Sequence, residues 1–139
     1  MCMTVKSIKI FNGKRISNKK GDIIKFVNKK SKFFNKFGEI YFSELKKQKI
    51  KGWNYHKKYT CLITVPFGKV EFKLLKDSSK KLKKYTISEK NNLILRVPPK
   101  TWFSFKSLVK KSIVANILDN IHNPSETKKS NKIKNIFIK

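Results

Sequence analysis

Carboxylates are scarce in this chain. Eight Asp and Glu stand against 35 Lys and Arg in 139 residues, a formal charge of +27. Arginine is scarcer still: Arg15 and Arg96 are the only two, and the other 33 cations are lysines. Readers of base edges and phosphate forks favour the planar guanidinium. Lysines alone can bind nucleic acid through counterion release, but here they are spread along the chain among many Asn, Ile and Phe residues. That is the profile an AT-rich genome writes onto any solvated surface, so a nucleic-acid partner is not expected. The charge can still draw in an anionic small molecule. Cysteine is limited to Cys2 and Cys61, too few for a disulfide framework, which implies a reduced, cytoplasmic protein. No apolar run reaches 18 residues, and the N-terminus lacks an apolar signal core, so neither a membrane span nor a secretory leader is expected. Gly-rich phosphate loops, paired-Cys motifs and internal repeats are missing too.

Strand signals fill the chain instead. "GKVEFKLL" alternates Val70, Phe72 and Leu74 with Lys69, Glu71 and Lys73, the period of a half-buried strand. "CLITVPF" is β-branched and nearly all apolar up to the Pro66-Phe67-Gly68 turn. "GEIYFSEL" puts Ile40 and Phe42 on one face and Tyr41 and Ser43 on the other, and "DIIKFV", "KYTI", "NLILRV" and "SIVANIL" read as further strands. Turn chemistry separates them in "FNGKR", "NKKGD", "KDSSKK", "EKNN" and "VPPKT". Many short strands with turns between them predict an all-β sandwich or barrel in one domain, residues 1–124. Residues 125–139, "SETKKSNKIKNIFIK", read as a lysine-rich C-terminal tail that docks on the body or hangs free.

Five of these segments, in order, resemble the dTDP-4-dehydrorhamnose 3,5-epimerase-like cupins. "NKKGDIIKF" is similar to an N-terminal Asp-x-Arg-Gly segment, with Lys20-Gly21 where Arg-Gly is usual. "FGEIYFSEL" resembles the strand that leads into the active site. "IKGWNYHKKYTCLITVPFGKVEFKLLKD" resembles both the Arg-Gly-Leu-His stretch of the epimerases and the Arg-Gly-Phe-His-x-His-Lys stretch of the related 3,4-ketoisomerases. "LRVPPKTWFSFKSL" and "NILDNIHNPSE" resemble the Ile-Pro-x-Gly-x-x-His-Gly-Phe segment and the closing strand that ends in Asp-Pro. The resemblance covers residues 8 to 136. It implies a cupin jelly-roll β-barrel, a homodimer with crossing N-terminal strands, and an epimerase or ketoisomerase acting on a nucleotide-linked 4-keto-6-deoxy sugar in surface-polysaccharide synthesis. The alternative is a non-catalytic sugar-nucleotide-binding cupin, or a degenerate epimerase assisting a partner enzyme.

The chemistry such a site needs is simple. A ketone acidifies the adjacent C–H, a base of moderate pKa removes the proton, and a donor steadies the enolate. Histidine suits the first role, and no cofactor is required. Here Asn54 stands at the epimerase histidine, and Asn116 at the position of the family's tyrosine acid. Neither asparagine exchanges protons near neutrality, though both can donate hydrogen bonds. His56 matches the second histidine of the ketoisomerase stretch and is the candidate base. On a strand, positions 54 and 56 share a face, whereas the plainer reading leaves His56 on the surface beside Lys57 and Lys58. Lys51, Asn54, Tyr41, Ser43, Asn116 and Lys20 are the candidate substrate-binding residues. Asp119 or Glu71 could orient the imidazole, Trp53 and Trp102 belong in packing, and His122 reads as a loop residue. Many cupins hold a metal on two histidines, a glutamate and a third histidine. Those positions fall here on Asn54, His56, near Thr60 and Phe103, so no metal is expected.

Overall fold

The computed structural model describes residues 7–77, 79 and 81–130. Cys2 and the tail beyond Ser130, with its apolar Ile136, Phe137 and Ile138, lie outside the described residues. Twelve strands make up the described body: β1 (Lys9–Asn12), β2 (Lys14–Ile16), β3 (Ile23–Lys25), β4 (Glu39–Lys46), β5 (Ile50–His56), β6 (Cys61–Phe67), β7 (Lys69–Lys76), β8 (Lys83–Ser88), β9 (Leu93–Val97), β10 (Thr101–Ser107), β11 (Lys111–Leu118) and β12 (Thr127–Lys129). One sheet runs β1-β9-β6-β11-β4 and faces a second, β12-β5-β10-β7-β8, while β2 and β3 pair as a separate hairpin. Consecutive strands β4–β5, β6–β7, β8–β9 and β10–β11 each step from one sheet to the other, which is the jelly-roll path. The all-β, single-domain jelly roll expected from the sequence is the fold observed. Among the described residues no helix is long and apolar enough to cross a membrane.

The alternation of β7 explains the core: Val70, Phe72 and Leu74 are fully buried between the sheets, while the odd positions face out. They meet Ile63 and Val65 of β6, Leu95 and Val97 of β9, and Leu118 of β11. The apolar run of β6 reflects its central place in the first sheet, where both faces are covered. Gly68, at φ +93°, makes the tight β6–β7 turn, and a Cβ there would lie 2.7 Å from the Lys111 carbonyl oxygen.

Two segments depart from simple pattern reading. In β4 the apolar pair Ile40 (42% exposed) and Phe42 (65%) faces outward, while Tyr41, Ser43 and Leu45 turn toward the interior. Pairing with β11 sets this, since Tyr41 lies opposite Asn116 and Ser43 opposite Val114. The second departure is at the C-terminus. Pro124–Glu126 form a 3₁₀ turn capped by Asn123, and Thr127–Lys129 then add to β5 as an edge strand. Thr127–Lys129, within the segment read as a tail, are therefore the edge strand of the second sheet. Trp53 N–H donates to the Ser130 carbonyl at 3.3 Å, and Ser130 N–H returns a bond at 3.1 Å.

Candidate active site

β5 carries the site, and an irregularity in it decides which side chains face inward. The β5–β10 register jumps from Asn54↔Phe103 to Gly52↔Ser104, leaving Trp53 as the extra residue of a bulge. Strict alternation would separate Lys51 from Asn54; the bulge resets the phase, so Lys51, Asn54 and His56 all line one cleft. Gly52 permits it, with φ +105° and its α-carbon so close to β10 that a Cβ would sit 2.7 Å from the Phe103 carbonyl oxygen.

The cleft has a volume of about 350 Å³. Tyr41 and Ser43 of β4 and Asn116 of β11 form one wall, and Phe103, Phe105 and Val114 supply apolar surface. His122, Thr127 and Lys129, from the C-terminal segment, stand on the other side. Lys20 is not among these residues. It lies exposed in the β2–β3 turn, where Asn18 Oδ1 accepts its N–H, because the hairpin pairs only with itself. His122 sits in a loop, in line with its sequence reading, and that loop borders the cleft.

His56 is buried, and its Nδ1 lies 2.6 Å from Oε1 of Glu126, the two side chains being 8% and 5% exposed. Glu126 Oε2 accepts the N–H groups of Lys58 at 2.9 Å and Tyr59 at 3.0 Å. Burial pushes the Glu126 carboxyl up most strongly, but the Lys58 N–H, the His56 ring and the Tyr59 N–H together hold it below its ordinary value. It is therefore a carboxylate, able only to accept, so Nδ1 of His56 must carry the shared proton. The imidazole is also stacked between Phe103 at 6.3 Å and Tyr59 at 6.1 Å. Glu71 and Asp119 do not orient it. Glu71 faces Lys84 at 3.9 Å, and Asp119 Oδ1 accepts the Thr60 N–H at 3.1 Å.

Across the cleft Asn116 Nδ2 donates to the Tyr41 hydroxyl at 2.9 Å, and Asn116 Oδ1 is buried with no hydrogen-bond partner among the described residues. Burial is the main reason the Tyr41 phenol is pushed up to about 12, with Cys61 adding to it. The phenol therefore stays protonated at any working pH. Trp53 is buried, and Trp102 packs at 4.8 Å against Tyr55, so both serve packing on the far face of the sheet. Among the described residues no group of three His, Cys, Asp or Glu could hold a metal. Phe103 occupies the place of the third cupin histidine, and Nδ1 of His56 is already committed to Glu126.

The two-sheet jelly roll thus carries a buried His–Glu pair at a partly apolar cleft. No protein-family model and no curated protein sequence matches the chain. Solved structures do. A dTDP sugar isomerase from Desulfovibrio desulfuricans G20 superimposes with a TM-score of 0.86 at 28% identity, over 94% of this chain and 87% of that one. A sugar 3,4-ketoisomerase from Thermoanaerobacterium thermosaccharolyticum, in complex with TDP, has a TM-score of 0.78 at 15% identity, over 98% and 100%. A 3,5-epimerase from Legionella pneumophila, in complex with dTDP-4-keto-L-rhamnose, has 0.79 at 17%, over 88% and 71%. The chain's structural neighbours thus come from the dTDP-sugar epimerases and ketoisomerases that its segments resemble.

Proposed function

We propose that the protein is an isomerase of a nucleotide-linked 4-keto-6-deoxy sugar, with dTDP as the nucleotide, working in the cytoplasm on a route to surface polysaccharide. The observation that carries this reading is the buried His56–Glu126 pair at the cleft. With its Nδ1 proton held by the carboxylate, His56 offers the Nε2 lone pair as a general base. It takes a proton from the carbon beside the ketone, and Glu126 stabilises the imidazolium that results. Charge moves to the ketone oxygen, where Lys51 or the Tyr41 hydroxyl steadies the enolate. The Tyr41 hydroxyl stays protonated and donates a hydrogen bond to that oxygen, while a proton returns to carbon from the His56 imidazolium or from water. The Tyr41 phenol is already held by Asn116 Nδ2 at 2.9 Å. Asn54 and Ser43 bind sugar hydroxyls, with Asn116 Oδ1 as a further acceptor. No step calls for a metal or cofactor.

The exposed β2–β3 hairpin, with Ile16, Ile23 and Ile24 in solvent, supports a homodimer in which this arm packs on a second copy. Lys20 at its tip would then serve the neighbouring cleft. Product analysis tests the activity. NMR of dTDP-4-keto-6-deoxyglucose incubated with the protein should show either a ketone moved to C3 or an inverted carbon, and neither with His56→Ala. Ligand bound but unchanged by the wild type would instead support the non-catalytic binding module.

A further inference from the structure

At the barrel end opposite the His56 cleft, the end of β4 meets the β6–β7, β8–β9 and β10–β11 turns. They enclose an open cleft of about 840 Å³, against about 350 Å³ for the His56 cleft, and the two share no lining residue. The larger space holds no buried titratable group of its own, so the chemistry stays with the smaller one. Its frame is rigid, however. Glu89 N–H donates to the Gly68 carbonyl at 3.1 Å, Leu108 N–H to that of Lys69 at 2.8 Å, and Lys47 N–H to that of Lys110 at 3.0 Å. Beneath them the buried Ser112 hydroxyl accepts the Lys69 N–H at 3.0 Å and bonds Ser107 Oγ at 2.8 Å. A cavity set by turns tied to one another this way is formed before any ligand arrives.

Its lining is of two kinds. Phe67 is 49% exposed and stands as an open aromatic wall, with Val109 and Leu45 adding apolar surface. Lys46, Lys69, Lys90 and Lys110 also line the space, and none of the four has a carboxylate partner among the described residues. Lys111 is engaged by Glu44 at 3.4 Å, which leaves Glu89 as the one acid in the lining not paired with a lysine. A solvated lysine face needs neither concavity nor an exposed aromatic ring. Four free cations around a ring match a ligand with one apolar end and several negative charges at the other.

We infer that this cleft is a second ligand site, for an organic diphosphate whose apolar part lies on Phe67 and whose phosphates are held by Lys46, Lys69, Lys90 and Lys110. The inference is independent of the isomerase reading. The apolar part belongs to a nucleoside or to a prenyl chain, and calorimetric titration with ADP and with geranyl diphosphate separates the two. Inorganic pyrophosphate serves as the control without an apolar part. One of the organic diphosphates should bind at least about tenfold tighter than pyrophosphate. That affinity should fall about tenfold in Phe67→Ala and in a Lys69→Ala, Lys90→Ala double variant, all surface changes that leave the core intact. It should persist in Lys51→Ala, whose change lies in the other cleft. Three results would each overturn the inference: pyrophosphate binding as tightly as both organic ligands, affinity indifferent to the Phe67 and lysine changes, or affinity lost in Lys51→Ala.

Discussion

Because a carboxylate can only accept, the 2.6 Å contact of Glu126 places a proton on Nδ1 of His56, which makes Nε2 the nitrogen for the proposed proton abstraction. Nitrogen NMR should therefore find His56 as the Nδ1–H tautomer in the wild type, and a mixture or the reverse in Glu126→Gln. Loss of the carboxylate should lower turnover about 100-fold, the scale of a general-base contribution. The same group reports on acid stability. Its folded pKa lies below the ordinary value, so the stabilisation it provides is present above an unfolded pKa of about 4.3 and is lost as pH falls through the folded value. Urea midpoints of the wild type should consequently drop further between pH 6 and about 3 than those of Glu126→Gln, by an amount that reflects this one carboxyl. Tyr41→Phe should keep ligand affinity yet lose about 100-fold in turnover, as expected when one donor to a developing oxyanion is removed. His56 was legible in the sequence as a lone histidine at a strand end. Its partner was not, since Glu126 lies 70 positions away. One signal was available: Glu126 is the only acid of residues 125–139, and it follows an Asn-Pro-Ser helix-start pattern.

At the scale of the element, β5 and β12 hold the site together. The bulge at Trp53 brings Lys51 into phase with Asn54 and His56, and it depends on a glycine at position 52. Gly52→Ala adds a Cβ where φ is +105° and a carbonyl oxygen lies 2.7 Å away, so it should cost about 1–3 kcal/mol in urea unfolding. The 3₁₀ turn supplies Glu126, and β12, which follows it and pairs briefly with β5, supplies Lys129. Ser130→Pro deletes the N–H that donates to the Trp53 carbonyl at 3.1 Å. It should speed hydrogen exchange at the Trp53 and Lys57 amides while the core strands stay protected. Period-two reading found β7, whose buried face alternates with a more open one, while β6 and β11 were legible as nearly continuous apolar, β-branched runs. It left the facing of β4 open, since there the apolar residues are outside and the polar ones line a cleft. It missed β12, whose three residues Thr-Lys-Lys carry no strand pattern and join the sheet through backbone pairing and the Glu126 anchor.

For the molecule as a whole, the charge of +27 says little about the fold, which is set by a compact apolar core between two sheets. None of the described lysines is buried, and their shared positive field favours anionic ligands. The proposed homodimer belongs to this scale as well. Light scattering should give twice the chain mass of 16.4 kDa, and an Ile23→Lys, Ile24→Lys variant should shift it to monomer. The jelly-roll class was legible from strand count and turn spacing together with the family likeness, whereas the end at which the cleft opens emerges only from the pairing register. Proton abstraction by the His56–Glu126 pair is the central proposed step, and solvent deuterium tests it most directly. Incubated in D₂O with dTDP-4-keto-6-deoxyglucose, the wild type should place deuterium on a carbon next to the ketone. Glu126→Gln should do so about 100-fold more slowly, and His56→Ala not at all. Deuterium incorporated equally by wild type and His56→Ala, or by neither although the ligand is bound, would contradict it.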